Sequence, residues 1–573
     1  MVRALLVLLG VLAAVCAQAG EHDEAGYVKS AANGTAVVAL ATAGQVQVGD
    51  WLSVRQYGED VARLTVQAVR GGEAVCRVVA VRPGAVVRAL DAVFGPTSEG
   101  VPPGFAEVPA EAVRLPEERR TPDPRDGEVV PRPHWTYGAL SLLAVERCLP
   151  NVPSWWFHGD RLLTREDVRK MLSGAAVPAP DSQAALAYEM LASEYGVDEA
   201  APAGERRFSR SSYTRLRYDN TELEHGWRLL SRRDFWFRVG PNAFGTVTLT
   251  SEHREWQGVS KGFHPVDTAV LQAQTGTVRW EFGKTYIRWG PGYSGALLLG
   301  DDAQGLPLVR GRTELNLGRW LGHWTLDQFI AGFREGGEYR YLFGRRVQKE
   351  ITPRLSFGIA ETMKARRMPN PSVFVLPVLA YQRIFDRDSN NINALLGMDL
   401  RYRAPRLEAY GELLIDDITA PRGFGAGYRV RRKIGYTVGL RRTGLWHGGK
   451  TDCRLEYVSI DRETYLHRNP AVSYYRQGRM LGHPLGPNGR AVLVRLDRRL
   501  GERAELVLTA WREWATNPGP PAPMRTDLLQ LTTVYEVTRR NAVSLGMGPV
   551  GVRRPDGSRE RSFGLEFVFD HTW

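Results

Sequence analysis

The stretch Ser562–Trp573 reads SFGLEFVFDHTW. From Phe563 every second residue is large and mostly apolar: Phe563, Leu565, Phe567, Phe569, His571 and Trp573. Between them stand Gly564, Glu566, Val568, Asp570 and Thr572, mostly small or polar. A period of two is the side-chain period of a β-strand. Such a stripe needs a cover. A second sheet could supply it in a soluble β-domain. If instead the last strand pairs with the first, the sheet closes, no edge stays bare, and the stripe can face lipid.

The same alternation runs through residues 206–573. Val278, Trp280 and Phe282 alternate with Arg279, Glu281 and Gly283. Leu396, Met398, Leu400 and Tyr402 alternate with Gly397, Asp399, Arg401 and Arg403. Charged polar faces suit a watery lumen, and aromatic residues near strand ends suit the membrane interface. The expected fold is therefore mainly β, with a large antiparallel transmembrane β-barrel. At roughly 10 residues per strand plus turns and loops, the region holds about 16 to 18 strands.

The chain has 573 residues and a net charge of +12. Sixty glycines and 34 prolines agree with many turns. Positive charge suits an anionic partner such as nucleic acid, lipid headgroups or an acidic glycan. Arg3, the apolar run Ala4–Val15 and Ala17-Gln18-Ala19 form a signal-peptide pattern, so residues 1–19 are expected to be removed on export. Cys76, Cys148 and Cys453 then remain, too dispersed for a disulfide framework or a metal site. Residues 27–95 are valine-rich with glycine turns and read as a small β-barrel. Residues 96–133 form a proline-rich linker. Residues 134–196 carry the helical period, with Trp135, Ala139, Leu142 and Leu143 on one face. Thr164 stands as an N-cap before a second helix, and Gly196 ends a third.

Nucleophile and zinc signatures are missing from the sequence. The Walker-like GLWHGGKT at Gly444–Thr451 precedes an alternating strand rather than a helix, so it reads as a hairpin turn. Asp301-Asp302 and Asp416-Asp417 follow apolar strands and read as turn residues. Arg310, Arg312, Arg345 and Arg346 are expected to line a lumen or loop rim that attracts polyanions. No enzymatic activity, cofactor or metal is expected.

Two family resemblances follow from particular motifs. HWTYGALSLLAVERCLP with FHGDRLLTREDVRKML resembles one S-layer homology domain, on Trp135, Leu163, Thr164 and Arg165, with Asp167 where that family usually has glutamate. The resemblance implies binding of a peptidoglycan-linked polymer, mainly through Arg165. The segment also departs from the family: PNVPSWW replaces a glycine-rich turn, and one copy stands where three are usual. FGKTYIRWGPGYSGALLLG, with MLGHPLGPNGR, resembles the Wzi family of outer-membrane capsule-assembly barrels. Gly283, Trp289, Gly290, Pro291, Gly292 and Leu297–Leu299 carry the match, while Gly300 replaces the usual serine. That resemblance implies a lectin-like barrel holding acidic capsular polysaccharide.

From the residues alone, Trp289-Gly290-Pro291-Gly292 reads as a strand ending in a tight turn beneath a girdle tryptophan, so the segment is either structural or glycan-contacting. The expected partners are acidic surface polysaccharide, a peptidoglycan-linked polymer, outer-membrane lipid and the barrel assembly machinery, with no nucleic acid. The expected location is the bacterial outer membrane with the amino-terminal domains in the periplasm. A general porin with a wall anchor is the alternative.

The terminal strand, with Phe569 and Trp573, resembles the signal by which outer-membrane barrels are recognised for insertion. Deleting Trp573 is expected to cut membrane assembly several-fold. The yield of heat-modifiable barrel on gels measures this, and an undiminished yield would contradict it.

Overall fold

The computed structural model describes residues 24–107 with short interruptions and parts of 130–195. It also describes residues 208–572 except 220–225, 301–304, 317–322, 369–390, 418–432, 446–450, 516–523 and a few shorter turns. The expected signal peptide, most of the linker, Thr164, Asp301-Asp302 and Trp573 lie outside the described residues. The chain folds as two compact units, the larger of which contains the barrel.

The smaller unit contains β1 (Glu24–Ala32), β2 (Thr35–Leu40), β3 (Trp51–Gln56), β4 (Glu59–Arg70), β5 (Glu73–Val81), β6 (Ala92–Thr97) and β7 (Ala106–Glu107). β2 pairs with β1 on one edge and β5 on the other, so the pairings of β1–β6 return on themselves. Val28, Val38, Leu52, Leu64, Val66 and Val93 are buried within this ring. The Cys76 thiol is buried there, and burial pushes its pKa up to about 12, so it packs as an inert apolar group.

Three helices follow: α1 (Trp135–Val145), α2 (Arg165–Ser173) and α3 (Gln183–Tyr195). The buried stripe of α1 is Thr136, Leu140, Leu143 and Ala144, one position off the expected Trp135, Ala139, Leu142 and Leu143. Thr136 turns inward because its hydroxyl meets the buried Tyr195 hydroxyl at 2.7 Å.

The rest is one sheet. Its first strands are β8 (Phe208–Asp219), β9 (Gly226–Gly240), β10 (Ala243–Trp256), β11 (Val259–Phe263), β12 (Val266–Thr275), β13 (Val278–Thr285) and β14 (Leu306–Asn316). There follow β15 (His323–Glu335), β16 (Glu338–Thr352), β17 (Leu355–Ala365), β18 (Ile392–Ala404), β19 (Leu407–Asp417), β20 (Lys433–Leu445) and β21 (Thr451–Ile460). The two-residue pair β22 (Tyr475–Arg476) and β23 (Arg479–Met480) stands apart. The last are β24 (Arg490–Arg499), β25 (Ala504–Ala515), β26 (Met524–Thr538), β27 (Asn541–Arg553) and β28 (Arg559–Thr572).

Eighteen of these strands close into an antiparallel barrel, with β11 a short addition on β10. The closing ladder joins β28 to β8, from Glu566↔Asp219 to Thr572↔Tyr213. Gly444–Thr451 joins the antiparallel strands β20 and β21, and no described helix follows it.

The quoted stretch takes the expected orientation. Phe563 is 61% exposed on the outer face, while Val568, of opposite parity, is 7% exposed on the inner. Trp280 and Phe282 point outward and Glu281 inward. The lumen, however, is not uniformly wet. Leu308, Phe329, Ala331, Phe333, Leu342, Leu395, Leu414, Val458 and Ile460 form an apolar core inside the barrel. Two inserts at the same end, 286–305 and 461–489, complete it with Trp289, Leu297–Leu299, Tyr465, Tyr474, Met480 and Leu481.

Leu531 lies in the middle rows of the outward apolar face, paired with Leu508 and Met547. Leu531→Arg is expected to cost about 2–4 kcal/mol of folding into bilayers, as for a charge facing lipid near the midplane. Urea titration in lipid vesicles measures it, and a cost below about 0.5 kcal/mol would place this face away from lipid.

Candidate functional site

The insert 286–305 is held by two inward carboxylates. Gly292 N–H donates to Glu412 at 2.5 Å and Leu297 N–H donates to the other Glu412 oxygen at 2.7 Å. Glu456 accepts from the backbone N–H groups of Tyr293 and Ser294 at 2.5 and 2.8 Å, from the Ser294 hydroxyl, and from the Tyr410 hydroxyl at 2.6 Å. Both glutamates are nearly fully buried. A buried N–H left without such an acceptor costs about 1–3 kcal/mol.

Gly290 explains why the turn needs glycine. Its φ is +139°, and an added Cβ would lie 2.5 Å from the Glu412 carboxyl.

Trp289 is not a girdle tryptophan. It is 1% exposed inside the barrel, edge-on to Phe329 at 5.3 Å, and its indole N–H donates to Asp327 at 3.2 Å. An irregular insert shows no periodicity, so nothing in the sequence signalled that Trp289 would fold inward. Asp327 also binds Arg310 through two bonds and Arg312 at 2.9 Å, and Arg310 reaches Glu281 at 3.3 Å. Arg346 is held by Asp399 at 2.6 and 2.9 Å. The inward arginines Arg310, Arg312 and Arg346 are thus neutralised by carboxylates rather than offered to a polyanion. Arg345 has the opposite parity and faces the outer wall beside Glu361.

The second insert lies across the first. Gly300 N–H donates to Leu481 O at 2.8 Å, and the Tyr465 hydroxyl donates to Leu297 O at 2.6 Å. Lys364, from β17, donates to Ser473 O and Tyr475 O at 2.9 and 2.6 Å. Asp416 accepts from Tyr465 N–H at 2.7 Å, so it anchors this insert.

Ser294 and His483 come within 3.3 Å, which invites a nucleophile–base reading. The His483 Nδ1 accepts the Leu485 N–H at 3.2 Å, so the ring proton sits on Nε2, and Ser294 faces a donor rather than a base. Among the described residues no group of three or more His, Cys, Asp or Glu could hold a metal ion.

The inserts leave an exposed basic rim at their end of the barrel. Arg334 lies 5.0 Å from the ring of the exposed Tyr339. Glu338 joins Arg366 at 3.1 Å and Arg340 at 2.8 Å, and Arg340 donates to Ala471 O of the second insert at 3.1 Å. Arg468 and Arg479, on that insert, are also exposed. Sequence reading missed this rim, because hairpin tip and insert are brought together only by the barrel.

In the helical segment Leu163 is buried, and Asp167 lies 4.0 Å from Arg279. The side chain of Trp135 lies outside the described residues. Arg165 is 7% exposed; it donates to the Glu194 carboxylate at 2.9 Å and to Glu194 O at 2.5 Å, and it lies 4.5 Å from the Tyr195 ring. Its guanidinium fork is taken up internally, unlike the open ligand contact expected of it.

Burial, then the Arg288 cation, pull the His483 pKa down to about 3 from an ordinary 6.5. The neutral ring stabilises the packed insert fully above about pH 6.5, and that stability is lost as pH falls toward 3. His483→Asn is expected to lose less stability than wild type between pH 7.5 and 4.5, by about 2–3 kcal/mol. Melting curves of both proteins measure the difference, and equal losses would refute a neutral buried His483.

A family model described as "Capsule assembly protein Wzi" matches residues 213–552, more than half of the chain. No curated protein matches the chain. Among solved structures it is similar to Wzi, described as an outer-membrane protein involved in group 1 capsule assembly in Escherichia coli and as a carbohydrate-binding β-barrel. Identity is 15%, the match covers 77% of this chain and 98% of that one, and the TM-score is 0.57. OccD3 (OpdP) of Pseudomonas aeruginosa gives 10% identity, coverage of 64% and 91%, and a TM-score of 0.39. OccAB4 of Acinetobacter baumannii gives 8%, 64% and 98%, with the same TM-score of 0.39.

Proposed function

The chain belongs to the capsule assembly protein Wzi family, and from that premise we propose that it binds an acidic polysaccharide at the bacterial surface and helps retain it there. The observation that carries this reading is the filled lumen. On the walls from β13 to β21, two inserts pack into an apolar core where a conduit would need water. That favours a surface-presenting barrel over the porin alternative. Bacterial barrels turn their long loops outward, so the inserts and the basic rim would face the outside. There Arg334, Arg366, Arg468 and Arg479 offer charge to a polyanion, and Tyr339 offers a stacking face.

The reading for residues 134–196 is narrower. Resemblance alone supports a wall-polymer tether, and because Glu194 holds Arg165 that reading rests on the segment rather than on this one residue. Sedimentation of the full chain with purified sacculi tests the tether; no co-sedimentation removes it.

Two experiments test the main proposal. Tyr339→Ala with Arg366→Ala is expected to weaken binding of purified acidic capsular polysaccharide about tenfold, roughly 1.4 kcal/mol. Unchanged affinity would dismiss the rim. In planar bilayers the wild type is expected to be nearly silent, and steady nanosiemens-scale conductance would restore the porin reading.

A further inference from the structure

The outer wall of β25–β28 changes character abruptly near its long-insert end. Register places Trp514, Arg525, Arg553 and Arg559 side by side in one row across the four strands. The next row is Arg512, Asp527, Gly551 and Arg561. Arg561 shares the outward face with Phe563, two residues on, so both rows point away from the lumen. The two rows hold five arginines against one aspartate.

Asp527 holds Arg512 at 2.5 Å and Arg525 at 3.0 Å, and both guanidinium groups lie 5.9 Å from the Trp514 ring. Arg553, Arg559 and Arg561 are exposed and form no ion pair with a described residue.

Directly below, the wall is apolar: Phe563, Leu529, Leu531, Met547 and Leu545 are exposed on the same face. From Arg561 to His571, where the belt ends beside Asn541, the strand runs ten residues. At about 3.3 Å per residue and a tilt near 40°, this is roughly 25 Å of height, the apolar thickness a bacterial outer membrane offers a barrel. The arginine rows therefore lie at the level of lipid headgroups in the outer leaflet, facing sideways into the membrane and not up into the medium.

We infer that these rows bind the phosphates of a phosphorylated glycolipid whose acyl chains lie against the apolar wall below. Guanidinium groups grip phosphate through paired hydrogen bonds. Arg553, Arg559 and Arg561 supply the charge, while Arg512 and Arg525 are already oriented by Asp527 and Trp514. A capsular polyanion in the medium meets the rim instead, so this site stands whether or not the glycan reading survives.

The test uses the full chain in nanodiscs of neutral lipid, doped with a bis-phosphorylated disaccharide lipid or its dephosphorylated counterpart. Native mass spectrometry counts retained glycolipid. Wild type should retain the phosphorylated form at least tenfold better, and equal retention of both forms would overturn the inference without any mutant. Arg553→Gln, Arg559→Gln and Arg561→Gln together should abolish that preference while heat-modifiable mobility stays normal; a preserved preference also overturns it. Soluble sugar phosphate at millimolar concentration should not displace the lipid; displacement would mark a free-anion site instead. Acidic polysaccharide binding should be unchanged in the triple variant, and its loss would reassign the rows to the glycan.

Discussion

Two buried carboxylates, Glu412 and Glu456, hold backbone N–H groups that would otherwise be orphaned inside the barrel. An irregular loop in a lumen needs such partners, since a buried N–H without one costs about as much as a lost hydrogen bond. Once Gly292–Leu297 is seated, Trp289 has a place against Phe329 and Asp327, and the second insert has a floor in Leu297 O. The apolar core within the barrel follows from that seating. Each large side chain it buries contributes about 1.5–3 kcal/mol, but only after the polar backbone beside it is satisfied.

Charge inside the barrel is organised as local neutrality. Asp327 serves Arg310 and Arg312, Asp399 serves Arg346, and Glu408 serves Arg401. Arginine is an abundant residue in this chain, yet inside the barrel it is largely structural. The exposed positive charge is found at the rim and on the outer wall. That division separates what builds the barrel from what is available to a partner.

The barrel itself is legible because a two-residue period survives in many of its strands, from Trp280 and Phe282 to Phe563 and Leu565. Lipid contact and lumen contact alternate, and the sequence alternates with them. The inserts were not legible. Gly292 and Glu412 lie 120 residues apart, and Tyr293 and Glu456 163 apart, so no local pattern joins them. The Trp289-Gly290-Pro291-Gly292 motif stands out by its family resemblance, but a local reading puts its turn at the interface, whereas Trp289 is buried inside the barrel. The partner of Arg165 escapes local reading for a related reason: a helix start suggests an anion site, while the carboxylate that pairs with it, Glu194, lies 29 residues downstream.

The ladder that closes the ring is short. β28 shares thirteen residue pairs with β27 but only seven with β8, all in its last half among the described residues. Among the described residues, the first half of β28, including Arg559 and Arg561, is registered against β27 alone. The partners in the closing ladder lie on the first and last strands of the barrel, so this non-local ladder carries the largest loop-closure cost of the ring. A membrane component gripping those arginines would steady the β28 side of that joint.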